Sequence, residues 1–156
     1  GFTLIELLVV IVIIGILSGI GISAFKSYQY KAQVAVVQAE SKPLIDAVII
    51  GRTLQEKTLR EITGSSCTSC SCRTIAQIQS DTCKNRYNLT IDRIERASGI
   101  DLPKPFLDPW GSPYYIDENQ GESHCNTKDW VGSLGEDQTH NSNDIQIVIP
   151  LYEKCN

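Results

Sequence analysis

The sequence predicts an α+β protein in which a long N-terminal α-helix, hydrophobic in its first half, packs on a head with a small antiparallel β-sheet. Three observations predict this class. The first 25 residues are almost wholly apolar, whereas the rest reads as a polar globular sequence. An amphipathic helical repeat follows the apolar segment directly. Alternating apolar and polar residues, typical of strands, come only near the C-terminus.

The opening segment, residues 1–26, contains a single carboxylate. No charged residue lies between Glu6 and Lys26, and this length allows a helix to cross most of a bilayer core. We therefore predict a hydrophobic assembly or transmembrane helix. A carboxylate inside such a segment is costly unless a cation meets it, which indicates a functional role for Glu6. The alternative is a helix-start acid favoured by the macrodipole, but this does not explain an acid within an unbroken apolar block.

Residues 27–52 predict an amphipathic continuation of this helix. Apolar residues recur at steps of three and four, with Ser41 filling one gap. The face consists of Tyr30, Val34, Val37, Leu44 and Val48. Pro43 predicts a kink or the start of a new helical segment, and Gly51 predicts the end of the helix.

Residues 53–156 predict the globular head. Residues 62–86 indicate a loop-rich segment with a short helix around Ile75 and Ile78. A second helix is predicted from Asn88 or Thr90 to Gly99. Three strands are predicted: residues 114–117, the segment near Trp130, and residues 144–153. The last of these alternates Ile145, Ile147, Ile149 and Leu151 on one face.

Six cysteines lie in the polar part of the chain: Cys67, Cys70, Cys72, Cys83, Cys125 and Cys155. An even number indicates disulfides and an oxidising compartment, although about fifteen pairings are open to six cysteines. The run CTSCSC also allows a metal site. No histidine lies near it and the two separated CxxC knuckles of a structural zinc site are missing, so disulfides are the favoured interpretation.

Composition and motifs favour neither an enzyme nor a nucleic-acid binder. The net charge is −4, and no basic run suggests a nucleic-acid contact. The chain has no glycine-rich phosphate loop. His124 and His140 have no nucleophile at the spacing of a catalytic motif.

The run GFTLIELLVVIVIIGIL resembles the N-terminus of the type IV pilin family, which includes pilins and the pseudopilins of type II secretion. The resemblance implies the type IV pilin fold. It also implies that a prepilin peptidase cuts after Gly1 and that the new N-terminal Phe2 is methylated. Glu6 would then neutralise the N-terminal amine of a neighbouring subunit in a filament.

Residues 108–115, DPWGSPYY, are similar to a string found in major pseudopilins and in some related pilins. In those proteins a later loop, SLGxDG…DDI, binds calcium, and Ser133, Leu134, Gly135, Asp137 and Asp144 match part of it. Gln138 replaces the glycine that normally follows the aspartate. The resemblance implies a calcium site formed by Asp137, Asp144, the Leu134 carbonyl and an amide of Asn141 or Asn143. The alternative is a polar turn whose side chains cap their own backbone.

A C-terminal disulfide is common in type IV pilins, and Cys125 and Cys155 bracket the last strand. We expect these two to pair, which leaves the other four cysteines to pair among themselves.

The leading hypothesis is the major pilin of a type IV pilus, a homopolymer assembled by inner-membrane machinery after prepilin peptidase processing. The subunit would lie in the inner membrane before assembly and in a cell-surface filament afterwards. The alternative is the major pseudopilin of a type II secretion system, which forms a short periplasmic pseudopilus. A minor tip subunit would more naturally lack Glu6.

Overall fold

The computed structural model describes residues 1, 3–119 and 127–152, with the backbone alone for residues 19–24. Contacts divide the chain into two compact units, Gly1–Ala35 and Val36–Asn156. The helices are α1 (Leu4–Gln55), α2 (Leu59–Thr63), α3 (Ile75–Ile78) and α4 (Asp81–Ser98), with a 3₁₀ turn at Thr68–Ser71. The strands are β1 (Tyr115–Asp117), β2 (Trp130–Ser133) and β3 (Ile145–Val148). The predicted α+β class is confirmed.

The long N-terminal helix continues through Pro43, so the prediction of a new segment there is wrong. Two residues before Pro43, the buried Ser41 hydroxyl donates a hydrogen bond to the Val37 carbonyl at 2.7 Å. This bond lets a polar residue fill the gap in the apolar face. Val37, Leu44 and Val48 are buried as predicted, whereas Tyr30 is exposed.

The prediction that α1 ends at Gly51 is also wrong. Gly51 lies where α1 and α4 come close together, and a Cβ atom there would be 3.2 Å from the Cβ of Ala97. Glycine at this position therefore serves helix packing. The helix ends four residues later, after Gln55, and Glu56 adopts a left-handed conformation with φ of 52°.

Helix α4 begins well before the predicted start at Asn88 or Thr90. Ser80 is its N-cap and accepts a hydrogen bond from the Cys83 amide. The buried face then starts at Cys83 and continues through Tyr87 and Ile91, which follow one another at a spacing of four. The predicted end at Gly99 is confirmed, with φ of 73°.

The three strands form one antiparallel sheet in the order β1-β2-β3. A Cβ atom at Gly132 would lie 2.1 Å from the Ile145 carbonyl oxygen, so only glycine allows β2 and β3 to approach here. The alternation predicted for the last strand is present at Ile145 and Ile149, which are buried. Leu151 is exposed.

Polar contacts connect the C-terminal part of α1 to the sheet region. Arg52 and Asp129 form a buried ion pair at 3.3 Å, and Arg52 also donates to the Pro150 carbonyl at 2.8 Å. The Tyr114 hydroxyl donates to the Glu40 carboxylate at 2.8 Å. Both contacts join residues far apart in sequence.

Candidate functional site

Glu6 and Thr3 form a capping box at the start of α1. The Glu6 carboxylate accepts hydrogen bonds from the backbone amide and the hydroxyl of Thr3, both at 2.7 Å. The Thr3 hydroxyl in turn accepts from the Glu6 amide at 3.4 Å. This reciprocal pattern satisfies amides that a helix start otherwise leaves unpaired. The Thr-x-x-Glu spacing is visible in the sequence, but we did not predict the cap.

The same capping box occurs at the start of α2. Thr58 and Glu61 form hydrogen bonds of 2.8 to 3.3 Å with each other, through the same types of atom that join Thr3 to Glu6. Capping alone therefore accounts for a carboxylate at this position of a helix. Capping does not explain why Glu6 is the single charged side chain among residues 1–25.

From Leu7 to Leu17, α1 carries apolar residues on every face. Each large apolar side chain from Leu4 to Leu17 is between 48% and 83% exposed. Soluble monomers rarely expose so large a continuous apolar surface, which typically marks an interaction site. Among the residues that the structure describes, no helix combines the length and apolar character needed to cross a membrane.

In the head, the DPWG sequence forms a tight turn around the buried Asp108 carboxylate. One carboxylate oxygen accepts from the amides of Trp110 at 3.1 Å and Ser112 at 2.8 Å. The other accepts from the Ser133 hydroxyl at 2.5 Å. Gly111 has φ of 83°, which favours glycine. Burial raises the pKa of the Asp108 carboxyl, although these hydrogen bonds oppose the rise.

The acidic loop, residues 134–144, contains the predicted calcium ligands. Leu134 is buried, Asp137 and Asn143 are exposed, and Asp144 is half-buried. Gln138 has φ of 49°, which explains why glycine suits this position, and its amide donates to the Trp110 carbonyl. No pattern in the sequence predicts this contact between the loop and the DPWG turn.

Both carboxylates of the acidic loop accept hydrogen bonds from their own loop. Asp137 accepts from the Thr139 amide at 3.0 Å and from the Asn141 side chain at 2.6 Å. Asp144 lies 2.5 Å from a ring nitrogen of His140 and accepts from the Asn141 amide at 3.1 Å. Within the described residues, no group of three or more His, Cys, Asp or Glu side chains could hold a metal. As folded, the loop has the hydrogen bonds of a capped turn, and calcium binding stays a prediction.

The first 22 residues match the sequence model of one family, the prokaryotic N-terminal methylation motif. This chain carries the N-terminal motif of prepilin-type proteins. No curated protein and no solved structure matches the chain. The motif supports a type IV pilin-like or pseudopilin subunit, a class of structural and generally non-enzymatic proteins.

The prepilin-type motif includes the residues predicted for processing and assembly. Gly1 and Glu6 are exposed. Phe2 lies outside the described residues, as do Cys125 and Cys155. Cleavage after Gly1, methylation of Phe2 and pairing of Cys125 with Cys155 therefore stay predictions.

The three cysteines of the run CTSCSC and Cys83, in the first turn of α4, form two disulfides, a pairing that the sequence alone left open. The exposed disulfide joins Cys67 to Cys70, and the buried disulfide joins Cys72 to Cys83. Among the described residues no cysteine is free. These sulfurs are therefore not the metal ligands that the run CTSCSC also allowed.

Glu118 is a buried carboxylate that sequence analysis missed. Its oxygens accept hydrogen bonds from the Thr68 amide at 2.7 Å and from the Thr68 hydroxyl. Burial raises the pKa of Glu118 to about 7, and the bonds from Thr68 oppose this effect. Glu118 therefore links the end of β1 to the 3₁₀ turn at Thr68–Ser71.

Proposed function

We propose that this chain is the major subunit of a type IV pilus and polymerises through the first half of α1. The observation that supports this proposal is the continuous exposed apolar surface from Leu4 to Leu17. A helix that is apolar on every side needs burial within a large core or a membrane. Packing α1 helices from several subunits in a filament core buries this surface without help from the head.

The carboxylate of Glu6 gives this packing a register. Burial in a filament core removes the water that solvates Glu6, so the carboxylate then needs a cation. The N-terminal amine of a neighbouring subunit is such a cation. A buried charge without its partner is costly. Only the subunit register that brings the carboxylate and the amine together avoids this cost. The bonds to Thr3 fix the carboxylate at the helix start before assembly.

Before assembly, the subunit is held in the inner membrane by the same apolar segment. Prepilin peptidase and the assembly machinery of that membrane are its partners, as the prepilin-type motif implies. The disulfides of the head suit an oxidising exterior. The fibre is then extended at the cell surface, with the heads on its outside.

The alternative is the major pseudopilin of a type II secretion system. The DPWGSPYY string and the sequence of the acidic loop favour this alternative, because both are similar to sequences found in major pseudopilins. The cysteine-rich segment of the head favours a surface pilus.

Electron microscopy and intact-mass analysis of the sheared surface fraction of producing cells test the proposal. We expect long filaments containing this chain, with a mass that corresponds to a methylated N-terminal Phe2. A chain found only in the cell envelope, together with loss of secretion on its deletion, would assign it to the pseudopilus instead. Filaments that begin at Gly1 would contradict the processing site.

A further inference from the structure

The two disulfides of the cysteine segment differ in their access to solvent. In the buried disulfide, Cys83 is fully buried and Cys72 nearly so. In the exposed disulfide, Cys70 is exposed and Cys67 is half-buried. Thiol–disulfide exchange requires a thiolate to reach a sulfur atom, so only the exposed disulfide is open to attack in the folded head.

A cation lies against both sulfurs of the exposed disulfide. The Arg73 guanidinium nitrogen is 3.2 Å from the Cys70 sulfur and 3.6 Å from the Cys67 sulfur. The Ser69 hydroxyl lies 3.5 Å from the Cys67 sulfur. A neighbouring cation stabilises a thiolate, and a thiolate with a lower pKa is the better leaving group. These groups therefore favour opening of the bond.

The backbone between the two cysteines is held by contacts that do not depend on the disulfide. Thr68 is fully buried, and its amide and hydroxyl donate to Glu118. The Thr68 hydroxyl also lies 3.0 Å from the Thr90 hydroxyl of α4. Reduction therefore leaves two thiols side by side, which is the condition for the bond to form again.

We propose that the exposed disulfide is a site of thiol–disulfide exchange with an external dithiol, and that Arg73 stabilises the leaving thiolate. One thiolate of the dithiol attacks the exposed Cys70 sulfur, the bond to Cys67 breaks, and Cys67 leaves as a thiolate beside Arg73. The second thiolate of the dithiol then attacks the first dithiol sulfur, which is bonded to Cys70 in the mixed disulfide, and Cys70 leaves as a thiolate. The dithiol becomes a cyclic disulfide, two electrons pass to the chain, and its two protons reach Cys67 and Cys70 through solvent.

Exchange explains this arrangement better than metal binding by the reduced cysteines. Two thiolates supply half of the roughly four ligands of a zinc site. Among the described residues, no further cluster of ligating side chains completes such a set. The positive charge of Arg73 opposes a metal cation and favours a thiolate.

The first experiment treats the folded full-length chain with limiting dithiothreitol and traps free thiols with iodoacetamide at a series of times. Digestion and mass analysis then give the reduction rate of each disulfide. We expect Cys67 and Cys70 to be alkylated at least about tenfold faster than Cys72 and Cys83, because a buried bond waits for local opening. Equal rates for the two disulfides would overturn the proposal.

Variants of Arg73 separate its charge from its packing. We expect Arg73→Gln to slow reduction of the exposed disulfide about tenfold, and Arg73→Lys to keep most of the rate, since both cations stabilise a thiolate. Arg86→Gln is the matched control, because Arg86 is a nearby cation whose hydrogen bonds go to Ser71 and Ser65 instead. Slow reduction of the buried disulfide in the same digest verifies that each variant is folded. Wild-type reduction rates in Arg73→Gln would overturn the role of the cation.

A second measurement needs no variant. The wild-type chain is treated with mercaptoethanesulfonate, an anionic thiol, and with cysteamine, a cationic one, at equal thiolate concentrations. The net charge of −4 favours the cationic thiol, whereas Arg73 beside the sulfurs favours the anionic one. Because thiols of different pKa differ in intrinsic nucleophilicity, the ratio of the two rates is compared with the ratio for a small uncharged disulfide. We expect the protein to favour the anionic thiol several-fold more than the small disulfide does, and equal ratios would contradict a local effect of Arg73.

Discussion

Glu118 makes the stability of the head depend on pH in a direction opposite to that of most carboxylates. Its side chain is fully buried, and its pKa is about 7 in the folded protein against 4.5 for an ordinary glutamate. Between these two values the folded head keeps a proton that the unfolded chain has lost. Stability therefore falls as the pH rises from about 4.5 to about 7. Below this window the full stability is present, and above it the loss is complete.

The size of the effect follows from the two pKa values. Their difference of about 2.5, at about 1.36 kcal/mol for each pH unit, makes about 3 kcal/mol. In a head of this size that loss lowers the melting temperature by roughly 10 °C. Replacing Glu118 with glutamine keeps an oxygen that can accept from the Thr68 amide and removes the titration. The Glu118→Gln variant should therefore lose this part of the pH dependence.

Thermal melts of the full-length chain in detergent micelles, followed by tryptophan fluorescence at pH 5 and pH 8, measure this effect. Other titrating groups contribute equally to wild type and variant, so the difference between their pH dependences isolates Glu118. Glu136→Gln, which changes an exposed carboxylate, is the matched control and should behave as wild type. If wild type and Glu118→Gln lose the same stability between the two pH values, the account of Glu118 is wrong.

The remaining predictions concern the ion pair, the C-terminus and the acidic loop. Arg52→Ala should lower the free energy of unfolding by about 3 to 5 kcal/mol, because it breaks a buried ion pair by removing the cation that lies against the Asp129 carboxylate. A denaturant titration measures this loss, and a change below 1 kcal/mol would show that water reaches Asp129. Digestion without reductant should yield a peptide in which Cys125 is joined to Cys155, and free thiols at both positions would refute the pairing. Calcium titrated calorimetrically into the full-length chain should release heat and raise the melting temperature. The absence of both effects would leave the acidic loop as a capped turn.

Much of the fold could be predicted because its signals are local. The long apolar and amphipathic repeat gave α1, and period-two alternation gave the strands. The errors came from tertiary contacts. Gly51 resembles a helix stop in the sequence, but it allows α1 to approach Ala97 of α4. Helix α4 starts early because Ser80 caps it, and Cys83, which the sequence analysis placed in a loop-rich segment, is buried in its first turn through the disulfide to Cys72.

The candidate site was predictable only where it is continuous in sequence. The apolar segment and Glu6 can be recognised in the sequence, and the Thr-x-x-Glu spacing is sufficient to predict Thr3 as the helix cap. Contacts such as Arg73 with the cysteine sulfurs, or Glu118 with Thr68, depend on how the chain folds. The residue types involved give no sign of these contacts in a single sequence.

The central claim, that the charge of Glu6 directs filament assembly, is tested most directly by comparing three variants. Glu6→Gln keeps a capping side chain and removes the charge, Glu6→Ala removes both, and Thr3→Val removes the cap and keeps the charge. The measurement is the yield of sheared surface filaments, normalised to the amount of each subunit in the membrane fraction.

We expect both Glu6 variants to remain in the membrane and to lose filaments by about 100-fold or more, since an unpaired buried amine costs about 3 to 5 kcal/mol. Thr3→Val should lose only a few-fold, because a helix cap contributes about 1 kcal/mol. Wild-type filament yield from Glu6→Gln, with a loss in Thr3→Val as large as that in Glu6→Ala, would show that Glu6 acts as a helix cap and would contradict the account.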